Sequence, residues 1–155
     1  PQSSRLTGYV YNRTILQLMC PFQRLYKEHC MNIWYGTKEN SVLSNLALRP
    51  FVGKDSREYA TVEHAYQSWK SGKFNMAIYS KPWRAGSKFV ARGTRTEGNW
   101  NIQLMYAIVL RSFTHNADAK NVLLSTKGST LTHTQDTGVW RTKFPEILMK
   151  VRDLL

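Results

Sequence analysis

The sequence is short of cysteine, short of acid and without any long apolar run, and each shortage removes a class of protein. Two cysteines in 155 residues, Cys20 and Cys30, cannot build the disulfide framework of a small secreted domain. No stretch of 18 consecutive apolar residues occurs, so a membrane-spanning helix is not expected. Residues 1–18 lack the continuous apolar segment and small-residue cleavage site of a secretory signal, so a cytoplasmic protein with reduced thiols is the expectation. There is no internal repeat and no low-complexity tract. Acidic residues number only 10 against 22 Lys and Arg, leaving a formal charge of +12. A surplus of that size suits polyanionic partners such as nucleic acid or a dinucleotide, although a merely soluble basic protein would show it too.

What is present suffices for one folded domain. Apolar residues make up 42% of the chain and aromatic residues 12%, more than a disordered chain of this length carries. Residues 1–30 differ from the rest, holding Arg5, Arg13, Arg24 and Lys27 with one acid and irregular apolar spacing. They are either an appended arm or sequence upstream of a start at Met31. Residues 31–155 form the expected domain.

Asn32-Ile33-Trp34-Tyr35 is strand-like, and residues 46–52 read as a strand weakened by Pro50. Gly53-Lys54-Asp55 is a turn, with Arg57-Glu58-Tyr59 returning as the second arm of a hairpin. Thr61 can cap a helix that begins at Val62. A second helical stretch starts near Pro82 and ends at Gly93. The clearest helix covers residues 101–113, where Ile102, Met105, Tyr106, Val109 and Phe113 share one face. A shorter helix over 117–126 closes near Gly128, and Pro145-Glu146 opens the last one, with Ile147, Leu148, Val151 and Leu155 apolar. The class is α+β, mostly helical, with a few short strands.

The densest polar cluster lies at the start of the first helix. Glu63, Tyr66, Gln67 and Lys70 fall on one face at 3.6 residues per turn. A glycosidic bond breaks through an oxocarbenium-like transition state, which needs a carboxylate near the anomeric carbon and a proton for the leaving group. A lysine could instead attack C1 of an opened ribose as a Schiff-base nucleophile. The plain alternative is that Glu63 complements the helix dipole in the first turn and Lys70 is solvated.

Four ordered blocks between residues 32 and 155 resemble the NADAR superfamily. They are Ile33-Trp34-Tyr35 with Leu43-Ser44-Asn45-Leu46; Thr61, Glu63, His64, Gln67 and Lys70; Ser80-Lys81-Pro82 with Asn99-Trp100 and Met105; and His133-Thr134 with Trp140, Leu148, Met149 and Arg152. The resemblance implies a NADAR fold and hydrolysis of an N-glycosidic bond to ribose. On it, Glu63 is the acid/base or oxocarbenium stabiliser and Lys70 the candidate covalent amine. Asn45, His64, Gln67, Trp100 and Trp140 are the substrate-binding candidates, the two tryptophans being equally able to serve as core packing. The chain departs from relatives in the last block. A Gly-x-Asn-x-Leu-Gly segment is replaced by Arg141-Thr142-Lys143-Phe144-Pro145-Glu146, and Thr132 stands where a glutamate is usual.

Lys81, Arg84, Lys88, Arg92 and Arg95 recur every three or four residues without an interleaved acid, a basic stripe if that stretch is helical. Such a stripe is either a solvated face or a phosphate-binding one. His64, His115 and His133 show no metal-ligand spacing with the cysteines, so neither a metal nor another cofactor is expected. The expected activity is removal of ADP-ribose from guanine in DNA, opposing a DNA ADP-ribosyltransferase as an antitoxin or phage counter-defence. The alternatives are hydrolysis of a free nucleotide such as a riboflavin-pathway intermediate, and a non-catalytic module that binds ADP-ribose or nucleic acid.

Overall fold

The computed structural model describes residues 29–35, 40–71, 74 and 99–155. The basic stripe Lys81, Arg84, Lys88, Arg92 and Arg95, the helix expected from Pro82, and all of the N-terminal arm but its last two residues lie outside them.

The described chain runs β1 (His29–Asn32), a 3-10 turn (Ser41–Leu43), β2 (Phe51–Val52), β3 (Glu58–Tyr59) and α1 (Val62–Ser71). It continues with α2 (Trp100–His115), α3 (Ala117–Ser125), β4 (Ser129–Thr132) and α4 (Trp140–Leu154). This is the α+β, mostly helical class with short strands. Strands β1 and β4 pair in parallel, His29 opposite Ser129 through Asn32 opposite Thr132. Strands β2 and β3 form an antiparallel hairpin, Phe51 opposite Tyr59.

Helix α1 starts where expected, because the Thr61 hydroxyl accepts the His64 amide at 2.9 Å and satisfies an otherwise orphaned donor. Helix α2 is three residues longer than its pattern, and its buried residues are Leu104, Met105, Ile108, Val109, Ser112 and Phe113. Ile102 and Tyr106 are only half-buried. The buried arc is turned and broadened because α2 packs against both α1 and α4.

Three expectations are corrected. The first strand lies at His29–Asn32, earlier than the Asn32-to-Tyr35 stretch. Its partner β4 sets the register, and the ladder ends at the Ile33 amide donating to the Thr132 carbonyl. Strand β4 itself is invisible in a Ser-Thr-Leu-Thr string with a single apolar residue. The strand expected over 46–52 shrinks to Phe51–Val52, since turns closed by the Ser44 and Ala47 amides consume the preceding residues. Helix α4 begins at Trp140 rather than at Pro145, which sits inside it. Gly138, with φ +66°, turns the chain into the helix, and the proline sacrifices one backbone donor without stopping it.

The core gathers Ile33, Leu43, Val62, Met105, Phe113 and Leu148 where α1, α2, α4 and the β1–β4 ladder meet. At its lower end Arg152 is buried and donates to the Thr126 carbonyl at 2.8 Å and the Ser129 carbonyl at 2.9 Å. That ties α4 to the turn feeding β4. No helix among the described residues is long and apolar enough to cross a membrane.

Candidate active site

Parallel pairing brings the C-terminal ends of β1 and β4 to the same side, and the residues leaving both strands form one mouth. In parallel arrangements the outlets of the strands are where ligands bind. Trp34 and Tyr35 leave β1; His133, Gln135 and Asp136 leave β4. The Asn32 side-chain oxygen staples the two exits together, accepting from the Thr134 amide at 3.0 Å and its hydroxyl at 3.2 Å. Together with Asn45, Glu63, Tyr66, Gln67, Met105 and Trp140 they surround a cleft of ≈ 460 Å³. That falls in the volume range of small-molecule sites.

Glu63 is the buried carboxylate of the cleft, 8% exposed. The Asn45 side-chain amide donates to its Oε2 at 2.6 Å, and the Gln67 amide donates to its Oε1 at 2.7 Å. Accepting on both oxygens is the arrangement of an ionised carboxylate. The backbone repeats the link, the Glu63 amide donating to the Asn45 carbonyl at 2.9 Å. Gln67 reaches back one turn along α1, the i,i+4 relation of a helix face. Beside them, burial first and then the Glu63 charge hold the Tyr66 phenol above its usual range, so it stays a neutral hydroxyl. Trp140 meets the Tyr66 ring edge-on at 5.5 Å between centroids. Across the mouth His133 Nδ1 stands 3.7 Å from Asp136 Oδ2, and the imidazole leans on Phe144. The cleft therefore holds two carboxylates, an imidazole and several aromatic faces, with no Lys or Arg among its described lining residues.

Of the residues singled out in the sequence, Asn45, Glu63, Gln67 and Trp140 come together here. Three others do not. His64 is 1% exposed, its ring stacked on Phe74 at 5.4 Å and edge-on to Tyr59. One residue along a helix is about 100° of rotation, which turns it from the cleft into the core. Burial there pushes its pKa below the ordinary histidine value. Trp100 opens α2 at 47% exposure and is not on the cleft wall. Lys70 shares the azimuth of Glu63 but lies seven residues on, about 10 Å of helix rise. Its Nζ is 5.5 Å from the Tyr66 ring centroid, beside the cleft rather than in its wall.

His133 and Asp136 were not singled out as site residues, although a His and an acid three positions apart is a legible signal. Trp34 and Tyr35 stand in the sequence as strand residues and in the first ordered block, without a site role. They line the cleft because the ladder stops short of them.

No family model and no curated protein matches the sequence. The fold does match a solved structure, the NMR structure of the Escherichia coli protein YbiA. The TM-score is 0.62 and the identity 19%, over 86% of this chain and 89% of that one. The chain has the YbiA fold. The NADAR-type fold expected from the ordered blocks is thereby borne out. An identity this low carries the YbiA architecture alone, so the chemistry rests on the side chains of this cleft.

Proposed function

We propose that the chain is an N-glycosidase acting on a ribosylated base, with ADP-ribosylated guanine in DNA as its substrate. The observation that carries this reading is the Asn45–Glu63–Gln67 cluster in a cleft lined by carboxylates and aromatic rings. Positive charge develops on the sugar as the bond to the base breaks, and a preformed anion with its hydrogen bonds already made stabilises that charge without reorganising. Aromatic walls such as Trp140 and Tyr35 suit a purine or adenine face.

In this reading Glu63 faces C1 of the ribose. The C1–N bond breaks, its electron pair leaves with the base, and the base takes a proton from His133, which Asp136 orients. Water adds to C1 and its proton passes to Glu63. A covalent variant, in which the Lys70 amine attacks C1, requires the sugar to reach past Tyr66, the cleft residue that Lys70 adjoins. The charge of +12 and the basic stripe Lys81, Arg84, Lys88, Arg92 and Arg95 support a DNA strand as the carrier of the modified base, with the base flipped into the cleft. The role that follows is reversal of a DNA ADP-ribosyltransferase, by an antitoxin or a phage counter-defence protein acting in the cytoplasm.

The test is incubation with an ADP-ribosylated guanine oligonucleotide and chromatographic detection of free ADP-ribose. Release from the oligonucleotide supports the reading. Turnover of a free ribosylated nucleotide alone would move the substrate to a metabolite, and tight binding without turnover of either would make the chain a binding module.

A further inference from the structure

Arg49 is a buried cation that the chemistry above does not use. It is 2% exposed, and no carboxylate pairs with it among the described residues. Burial alone lowers its pKa to about 9. Burying a cation without a paired carboxylate costs desolvation energy, so the presence of Arg49 calls for a reason in its contacts. Those contacts join one stretch of backbone, residues 42–44, to helix α2. Its Nη1 donates to the Val42 carbonyl and, at 2.9 Å, to the Ser44 carbonyl. Its Nε donates to the Ser112 hydroxyl on α2 at 3.2 Å, and the guanidinium lies 4.4 Å from the Phe113 ring centroid.

The stretch it holds is the one that carries Asn45. Residues 40–49 contain no helix longer than a single 3-10 turn and no strand. The Asn40, Ser41, Ser44 and Asn45 carbonyls each take a backbone amide, and Arg49 holds the Val42 carbonyl and joins the amide on Ser44. The segment is pinned to the start of α1 at two places, the Arg49 amide on the Ala60 carbonyl at 3.0 Å and the Asn45 carbonyl under the Glu63 amide. Between those pins the Ser44–Leu46 turn presents the Asn45 amide to Glu63 Oε2.

We propose that Arg49 is the positioning residue of the cleft. Its guanidinium fixes the Val42 and Ser44 carbonyls from inside the core and so sets the turn from which Asn45 grips Glu63. The consequence for turnover rests on the Glu63 reading; the consequence for Asn45 geometry does not. Lysine keeps the charge but cannot span three acceptors with a planar fork.

Two measurements on the full chain test this. In Arg49→Lys, kcat for the ribosylated oligonucleotide should fall by on the order of 10- to 100-fold with KM nearly unchanged, as for a small misplacement of a reacting group. The same substitution in an Asn45→Ala background should cost little further, since the group it acts through is gone. Independently of turnover, the Asn45 side-chain NH2 resonances, assigned by their loss in Asn45→Asp, should move away from their carboxylate-bonded position in Arg49→Lys. Ser112→Ala, which removes only the Nε acceptor, should shift them in the same direction by less and serves if Arg49→Lys does not fold. Unmoved Asn45 resonances in either folded variant, or an Arg49→Lys loss that adds in full to that of Asn45→Ala, would overturn the positioning role. Shifted resonances in a protein that turns over nothing would retain it and remove the glycosidase reading.

Discussion

Helix α1 carries two hydrogen-bonded clusters on different faces, and they invite the same first description while doing different work. On one face Asn45 and Gln67 meet Glu63. On the other, Trp69 Nε1 donates to the Tyr59 hydroxyl at 2.7 Å and that hydroxyl donates to Asp55 at 2.6 Å. Both combine an acid, a neutral donor and aromatic neighbours. The second cluster is closed around the Tyr59 ring, which Phe74 and His64 cover and which a Cβ on Gly53 would approach within 2.7 Å. Trp69 at its edge also lines a separate cleft of ≈ 320 Å³. Burial and the Asp55 hydrogen bond push the Tyr59 pKa up to about 12. The first cluster opens onto a cleft of ≈ 460 Å³. Polar groups that complete one another inside a core fix structure, whereas polar groups that complete one another at a cavity wall present a charge to whatever enters.

The largest effect expected from breaking this contrast is on Glu63. Glu63→Gln keeps volume while removing the charge and one of the two acceptor oxygens, a loss that a flip of the Gln67 amide can offset. With the charge gone, turnover should fall by at least about 100-fold. Thermal stability should move by no more than about 1 kcal/mol, checked by melting beside the activity assay. Near-normal turnover in the folded variant would return Glu63 to the helix-dipole role.

Tyr59→Phe should do the reverse. It removes the acceptor of Trp69 and the donor to Asp55, costing about 1–3 kcal/mol of stability by denaturant titration. The kcat of the folded fraction should be unaltered. A turnover loss comparable to that of Glu63→Gln would join the two faces into one site.

His64 gives the closed face a pH signature. Its pKa is lowered in the folded state by burial, so the unfolded chain takes up the proton first as pH falls below about 6.5. Stability is therefore full above that pH and declines as pH drops through it, by at most about 1.4 kcal/mol per pH unit. His64→Gln should flatten the melting-temperature profile between pH 7 and 5. An unchanged slope would mean that other groups carry it.

Lys70→Arg sharpens the boundary of the open face and has the smallest expected effect. With Glu63 acting directly, kcat should change by less than about threefold, and borohydride added during turnover should trap no adduct. Complete loss with a trapped adduct on Lys70 in the parent chain would establish the covalent route instead.

The contrast also explains what was legible in the sequence. Helical periodicity put Glu63, Tyr66 and Gln67 on one face, because a face is a local property of spacing. The same reasoning admitted Lys70, since azimuth ignores the rise along the axis. His64 entered by adjacency in a motif, and adjacency on a helix means divergence in space. Trp140 was picked from the ordered blocks, yet its place at the first residue of α4 depends on Gly138 and not on Pro145. The remaining wall, Tyr35 with His133 and Asp136, is assembled by β1–β4 pairing across roughly a hundred residues, which no local pattern encodes.

The central claim is that substrate enters on the Glu63 face of α1 and not on the Tyr59 face. Five tryptophans give five indole resonances, with Trp34 and Trp140 at the cleft and Trp69 in the closed cluster. Titrating ADP-ribose into isotopically labelled protein while following the indole and side-chain amide signals reads both faces at once. Trp140, Asn45 and Gln67 should shift with one common dissociation constant while Trp69 stays in place. A saturating shift of the Trp69 indole with Trp140 unmoved would contradict it.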